Sequence, residues 1–160
     1  MKFLVISGAP NTGKTTAINK IVEWITISGS VTTDTSGNPL PPFLPNSKGE
    51  YQDFSIALFY KGRKIIIHSA TDDKACMDKL INLININTDI EIVITSCRDI
   101  NRERSYFTDT VKPYSTFFLE SPLGKINRKS DKNKPAAHKW YKDTLLLLHQ
   151  HILSNSPFNI

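Results

Sequence analysis

The sequence holds only two cysteines, Cys76 and Cys97, and they form no C-x-x-C pair. That excludes a disulfide framework and points to a reducing compartment. Together with four histidines they show no zinc-ligand spacing, and both cysteines are expected in the core. No run approaches the 18 apolar residues of a membrane span. The apolar run Phe3–Ile6 is too short for a signal-peptide core and is followed closely by Gly8. A cytoplasmic protein without a membrane partner is therefore expected. Internal repeats and heptads are missing as well. Acidic residues are in the minority, 15 against 20 Lys and Arg, for a net charge of +5 and a pI near 9.2. That balance favours anionic partners, nucleotides and nucleic acids included.

What is present fits one domain over residues 1–160, long enough to bury an ordinary core. Hydrophobic residues make up 39% and charged residues 22%, a globular balance. KFLVIS (2–7) reads as a buried strand ended by Gly8. Ile18, Ile21, Val22 and Ile25 form one face of a helix from about Lys14 to Ser28, with Gly29 suited to its C-terminal cap. Residues 29–52 lose that periodicity and carry a proline-rich stretch, TSGNPLPPFLPNSKG. Residues 53–69 read as a hairpin turning at KGR. A helix over Asp73–Asn85 would bury Met77, Leu80, Ile81 and Ile84. IEIVITS (90–96) and STFFLES (115–121) are further strands, and 98–112 is polar with helical potential. Gly124–Lys139 is strongly basic. A last helix from Pro135 to about Leu153 would present Tyr141, Leu145, Leu148 and Ile152 as its apolar face, with Trp140 and Tyr141 packing it. Strands alternating with helices predict an α/β fold: a three-layer, mostly parallel sheet with helices on both faces and one antiparallel edge hairpin.

Between the first strand and the first helix lies GAPNTGKTT. Gly8-x-x-x-x-Gly13-Lys14-Thr15 fits the phosphate-loop pattern G-x-x-x-x-G-K-[ST] without a mismatch. The glycines let successive N–H groups turn inward, and the helix N-terminus completes an anion site. Gly8, Asn11, Thr12, Gly13, Lys14, Thr15 and Thr16 are the candidate binding residues. Lys14 would reach the β- and γ-phosphates, and the Thr15 hydroxyl would meet Mg²⁺.

In these residues the chain resembles the P-loop NTPase superfamily. DFSIALFYKGRKIIIHSATDD and IEIVITSCRD are also similar to small, functionally unassigned ATP-binding proteins of that superfamily. There a hairpin ends in serine and acid, and a later strand ends in Cys-Arg. The resemblance implies a P-loop NTPase fold with ATP and Mg²⁺ as cofactors. It also implies an aspartate ending an apolar strand to help hold the metal. Here that place carries His68 and Ser69, so Asp72, followed closely by Asp73, is the candidate acid; Asp73 is equally suited to cap the next helix. His68 reads better as a residue bonded within the fold than as a base. Arg98 should share the carboxyl edge of the sheet with Gly8 and Asp72, where it would stabilise phosphoryl charge. Arg102 and Arg104 extend that basic group, unless they pair with Asp99 and Glu103.

Three functions follow. The first is an ATP-binding NTPase with Mg²⁺-dependent phosphoryl chemistry, using Lys14, Asp72 and Arg98. The second is a small-molecule, nucleotide or nucleic-acid kinase, with loop 30–52 on the acceptor side and Asp34 or Asp53 as base. The third is a slow nucleotide-sensing switch, or a GTPase-like module with Thr32 or Thr33 as its switch threonine, acting through a protein partner. A guanine-specific [NT]-K-x-D is missing, since SCRD keeps only Asp99, and no DxxG occurs. Adenine is preferred.

Overall fold

At the centre lies β1 (Lys2–Ser7), in which Phe3, Leu4, Val5 and Ile6 are at most 1% exposed. In this computed structural model residues 1–27, 31–41, 43, 45–71, 73–99, 102–124 and 133–160 are described; of Arg102, Asn133, Lys134 and His138 only the backbone is. Two parallel strands flank β1, namely β4 (Ile90–Cys97) and β5 (Phe117–Pro122), so that Val5 stands beside both Thr95 and Glu120. Outside β4 runs β3 (Arg63–His68), also parallel, and antiparallel to it lies β2 (Ser55–Tyr60). The sheet order is β2-β3-β4-β1-β5. The result is an α/β architecture with a mostly parallel five-stranded sheet and one antiparallel edge strand. The hairpin turns on Lys61 and Gly62, both at positive φ (48° and 75°), a pairing that matches strand twist.

Alternation along the strands divides the core in two. Leu4, Ile6, Ile65, Ile67, Ile92 and Ile94 belong to one cluster together with Ile18, Ile21, Val22 and Ile25 of α1 (Lys14–Thr26). Phe3, Val5, Ile66 and Val93 belong to the other. There Met77, Leu80 and Ile84 of α2 (Lys74–Ile86) and Phe107 and Val111 of α3 (Arg102–Val111) cover them. Burying each such Ile, Leu or Phe contributes roughly 1.5–3 kcal/mol, which is why strands covered on both faces carry unbroken apolar runs.

The C-terminal helix departs from its predicted face. It runs as α4 (Asn133–Trp140), one π turn (Tyr141–Leu145) and α5 (Leu146–Ser154). The extra residue in the wide turn shifts the inward face by one position, so Leu145, His149 and Leu153 are buried. Leu148, expected inside, is 44% exposed. Elsewhere the boundaries shift little. Asp73 is the N-cap of α2 rather than its first residue. The expected cap Gly29 and most of the basic stretch after Gly124 lie outside the described residues. The proline-rich segment forms an isolated bridge, Thr33 with Pro39. Among the described residues no helix is long and apolar enough to cross a membrane.

Candidate functional site

Where β1 ends, the chain is sewn to both neighbouring strands. Gly8 N donates to Cys97 O (3.2 Å), and Leu123 N donates to Ser7 O (2.7 Å). A Cβ on Gly8 would stand 2.6 Å from Thr12 Oγ1, so the loop closes over this position only because the side chain is missing. Thr12 closes the turn, its N and Oγ1 both donating to Ala9 O at 3.3 and 2.8 Å. Asn11 (φ 62°) and Gly13 (φ 95°) are left-handed, and Gly13 leads directly into α1. That helix has no side-chain N-cap bond and no acidic residue in its first turn. Its first amides lack intrahelical acceptors, and the positive end of its dipole is uncompensated by a capping side chain. Lys14 lies along the loop, with Nζ donating to Gly8 O at 3.0 Å and Ala9 O at 3.1 Å.

Part of this loop lines a cleft of about 990 Å³ together with Ser69, Arg98, Lys139, Tyr141 and Lys142. Asn11, Gly13, Lys14, Thr15 and Thr16 are all on its wall, and so is Arg98, from the loop after β4. Five of the seven predicted loop residues are therefore brought together with Arg98, while Gly8 and Thr12 are not on the wall. Arg104 is not on this wall: its guanidinium forks onto Glu120 of β5 (2.9 and 2.6 Å), so it joins neither the basic group at Arg98 nor, as the alternative had it, Asp99 or Glu103. That pairing holds the Glu120 carboxyl below the usual range. Arg102 and Asp72 fall outside what is described at side-chain level.

The acids are placed differently from the sequence expectation. Asp73 Oδ1 accepts from Cys76 N at 2.8 Å, and that bond lowers the Asp73 pKa; it does the work of a helix cap. Asp34 is held in its own turn, accepting from Ser36 N and Asn38 N (both 2.8 Å) and from the Asn38 side chain. Asp53, by contrast, reaches the first turn of α1. Its Oδ1 accepts from Thr15 Oγ1 (2.9 Å) and from Ser69 Oγ (3.1 Å). Ser69, at the end of β3 where an acid was expected, thus supports an acid carried by another segment. The neighbouring His68 is fully buried, with Nδ1 at 2.9 Å from Ser55 Oγ and Nε2 bonded to Ala70 O; burial lowers its pKa. It is a histidine satisfied within the fold.

Tyr141 was missed as a site residue because its position depends on the π turn. Its hydroxyl donates to Thr12 O, and its ring packs over Gly13. Cys97 is buried and its thiol is pushed up to about 11 by desolvation, which makes it an inert core residue, while Cys76 is half-buried. Among the described residues no group of three or more His, Cys, Asp or Glu could hold a metal by itself. A cation here would need oxygen ligands from its own substrate, as Mg²⁺ characteristically takes from phosphates.

Compared with protein-family models, curated proteins and solved structures, the chain matches none.

Proposed function

We propose that residues 8–16 bind the phosphates of a nucleoside triphosphate, ATP in preference to GTP, and that the chain is a P-loop NTPase acting in the cytoplasm with Mg²⁺-dependent phosphoryl chemistry. One observation carries this reading. Left-handed Gly13 passes straight into an uncapped helix whose Lys14 and Thr15 share a cleft wall with Arg98. The amides of the loop and of the first turn of α1 take the phosphate oxygens. Lys14 exchanges its two carbonyl partners for the outer phosphates, a favourable trade because charge-assisted bonds are the stronger ones. Arg98 stabilises charge on the transferring group. The Thr15 hydroxyl is the loop's contribution to the cation, which when bound neutralises phosphate charge.

Transfer to an acceptor is the second reading, favoured by the size and lining of the cleft. It continues past the loop to Lys20, Tyr51, Lys139 and Lys142 and lies at the upper end of small-molecule pocket sizes. A third, slow switching through a protein partner, is favoured by Ser69 standing where the strand-end acid would be.

Calorimetric titration with a non-hydrolysable ATP analogue tests the first proposal. Wild type is expected to bind it, and Lys14→Ala to lose at least tenfold in affinity with its melting curve retained. Unchanged binding in Lys14→Ala, or none in wild type, overturns it. ADP release that requires an added nucleoside or single-stranded DNA would select the transfer reading.

A further inference from the structure

We infer that Asp53, carried by the segment before the edge strand β2, is the carboxylate that holds the divalent cation next to Thr15. The inference rests on the triphosphate reading of the loop and adds to it the acid the sequence lacks at the end of β3.

β3 itself ends in no acid. β4 lies between β1 and β3. The end of β3 stands two strands from β1, yet its Ser69 hydroxyl meets the same Asp53 oxygen as Thr15 does. The two side chains at that end are His68, closed off by Ser55 and Ala70, and Ser69, whose hydroxyl donates to Asp53. Asp73, a little further on, is committed to Cys76 N.

Asp53 is held in place from both sides. On the α1 side, buried Asn19 donates from Nδ2 to Thr15 O (2.9 Å) and to Gln52 O (3.1 Å), tying the residue before Asp53 to the helix turn that carries Thr15. On the sheet side, Phe54 N donates to Ser69 Oγ (2.9 Å) and Ser69 N donates to Phe54 O (3.0 Å). The carboxylate is thus fixed between two backbone anchors, with Oδ1 taking both hydroxyl protons. Oδ2 accepts no hydrogen bond among the described residues. A hydroxyl that has donated its proton still offers lone pairs to a cation. Thr15 and Asp53 together supply the hard oxygens that Mg²⁺ takes from a protein when phosphates and water complete its shell. Asn19 and Ser69 are positioning residues, since they act through Asp53.

Affinity for the non-hydrolysable ATP analogue, measured in EDTA and again in Mg²⁺, tests the assignment on the full chain. Wild type is expected to bind more tightly in Mg²⁺. Asp53→Asn, which keeps the side-chain shape, is expected to match wild type in EDTA and to lose at least tenfold of the Mg²⁺ enhancement. Asp73→Asn is expected to keep the enhancement. An Asp53→Asn protein that retains the enhancement overturns the inference. So does one weakened equally with and without metal. Failure of wild type to bind in EDTA and in Mg²⁺ overturns the triphosphate reading instead. A second readout needs no variant: Mn²⁺ added to the wild-type analogue complex should broaden the amide resonances of Thr15 and Asp53. Broadening of Asp72 and Asp73 with Asp53 left sharp would give the cation to those residues.

Discussion

Tyr141 stands over Gly13 so closely that a Cβ there would lie 3.2 Å from its ring, while its hydroxyl bonds to Thr12 O. The C-terminal helix and the glycine-bracketed loop therefore fix each other's shape, across 128 residues of sequence.

Gly13→Ala should accordingly be costly on two counts. Its φ of 95° is poorly tolerated by an L side chain, and the new methyl must displace the Tyr141 ring. A loss of about 1–3 kcal/mol is expected in urea denaturation, together with weakened analogue binding. Tyr141→Phe keeps the ring and removes the bond to Thr12 O, and should cost about 1 kcal/mol. Unaltered stability in Gly13→Ala would show that the loop relaxes freely.

Arg98 and Arg104 should separate cleanly. Arg98→Ala is expected to slow ADP release by at least tenfold, because it removes a cation from the cleft wall. Arg104→Ala breaks a fork to Glu120 whose partners are both about a third exposed. Screening limits its cost to about 1 kcal/mol, and nucleotide binding should be unchanged. The Glu120 pKa is held low by this pair, so the contribution is present above the usual carboxylate range and fades as pH falls through it. Steady-state turnover and urea melts of the two variants provide the check.

His149 should make the fold acid-sensitive. It is fully buried, and neither ring nitrogen has a hydrogen-bond partner among the described residues. Burial pushes its pKa down from 6.5 to about 4. Above about pH 6.5 the ring is neutral in both folded and unfolded chains and has no effect. As pH falls from there towards 4 only the unfolded chain gains the proton, so stability is lost, by about 3 kcal/mol at pH 4. His68 shifts in the same direction and adds to the slope. His149→Leu should flatten the loss between pH 6.5 and 4; an unchanged pH profile in denaturant melts would contradict this origin.

The elements that sequence reasoning located well are those whose cause is local. Ile18, Ile21, Val22 and Ile25 repeat with the helix, the strands are short apolar runs, and the loop is dictated by glycines beside a lysine and a hydroxyl. What was not legible depends on distant partners. Asp53 gains its place from Asn19 on one side and Ser69 on the other, 34 residues before it and 16 after. Neither spacing forms a motif. Arg104 has acids close in sequence, yet its partner comes from β5, which only the sheet register brings within reach. Nothing in YKDTL marks a π turn, so the inward face of the last helix could be read only one residue out of phase.

That wide turn gives the C-terminal helix two latent registers, a single residue apart. Tyr141, Leu145, Leu148 and Ile152 offer the regular stripe, but the protein packs Leu145, His149 and Leu153. Rewinding Tyr141–Leu145 to α geometry at unchanged length would turn everything beyond it by about 100°. His149 would be handed to solvent and Leu148 to the interior. The awkward inward imidazole is thus bound up with seating an aromatic ring on the loop. Deleting one residue from within Tyr141–Leu145 would instead close the wide turn and leave His149 facing inward, since four α residues sweep nearly the angle of five π residues.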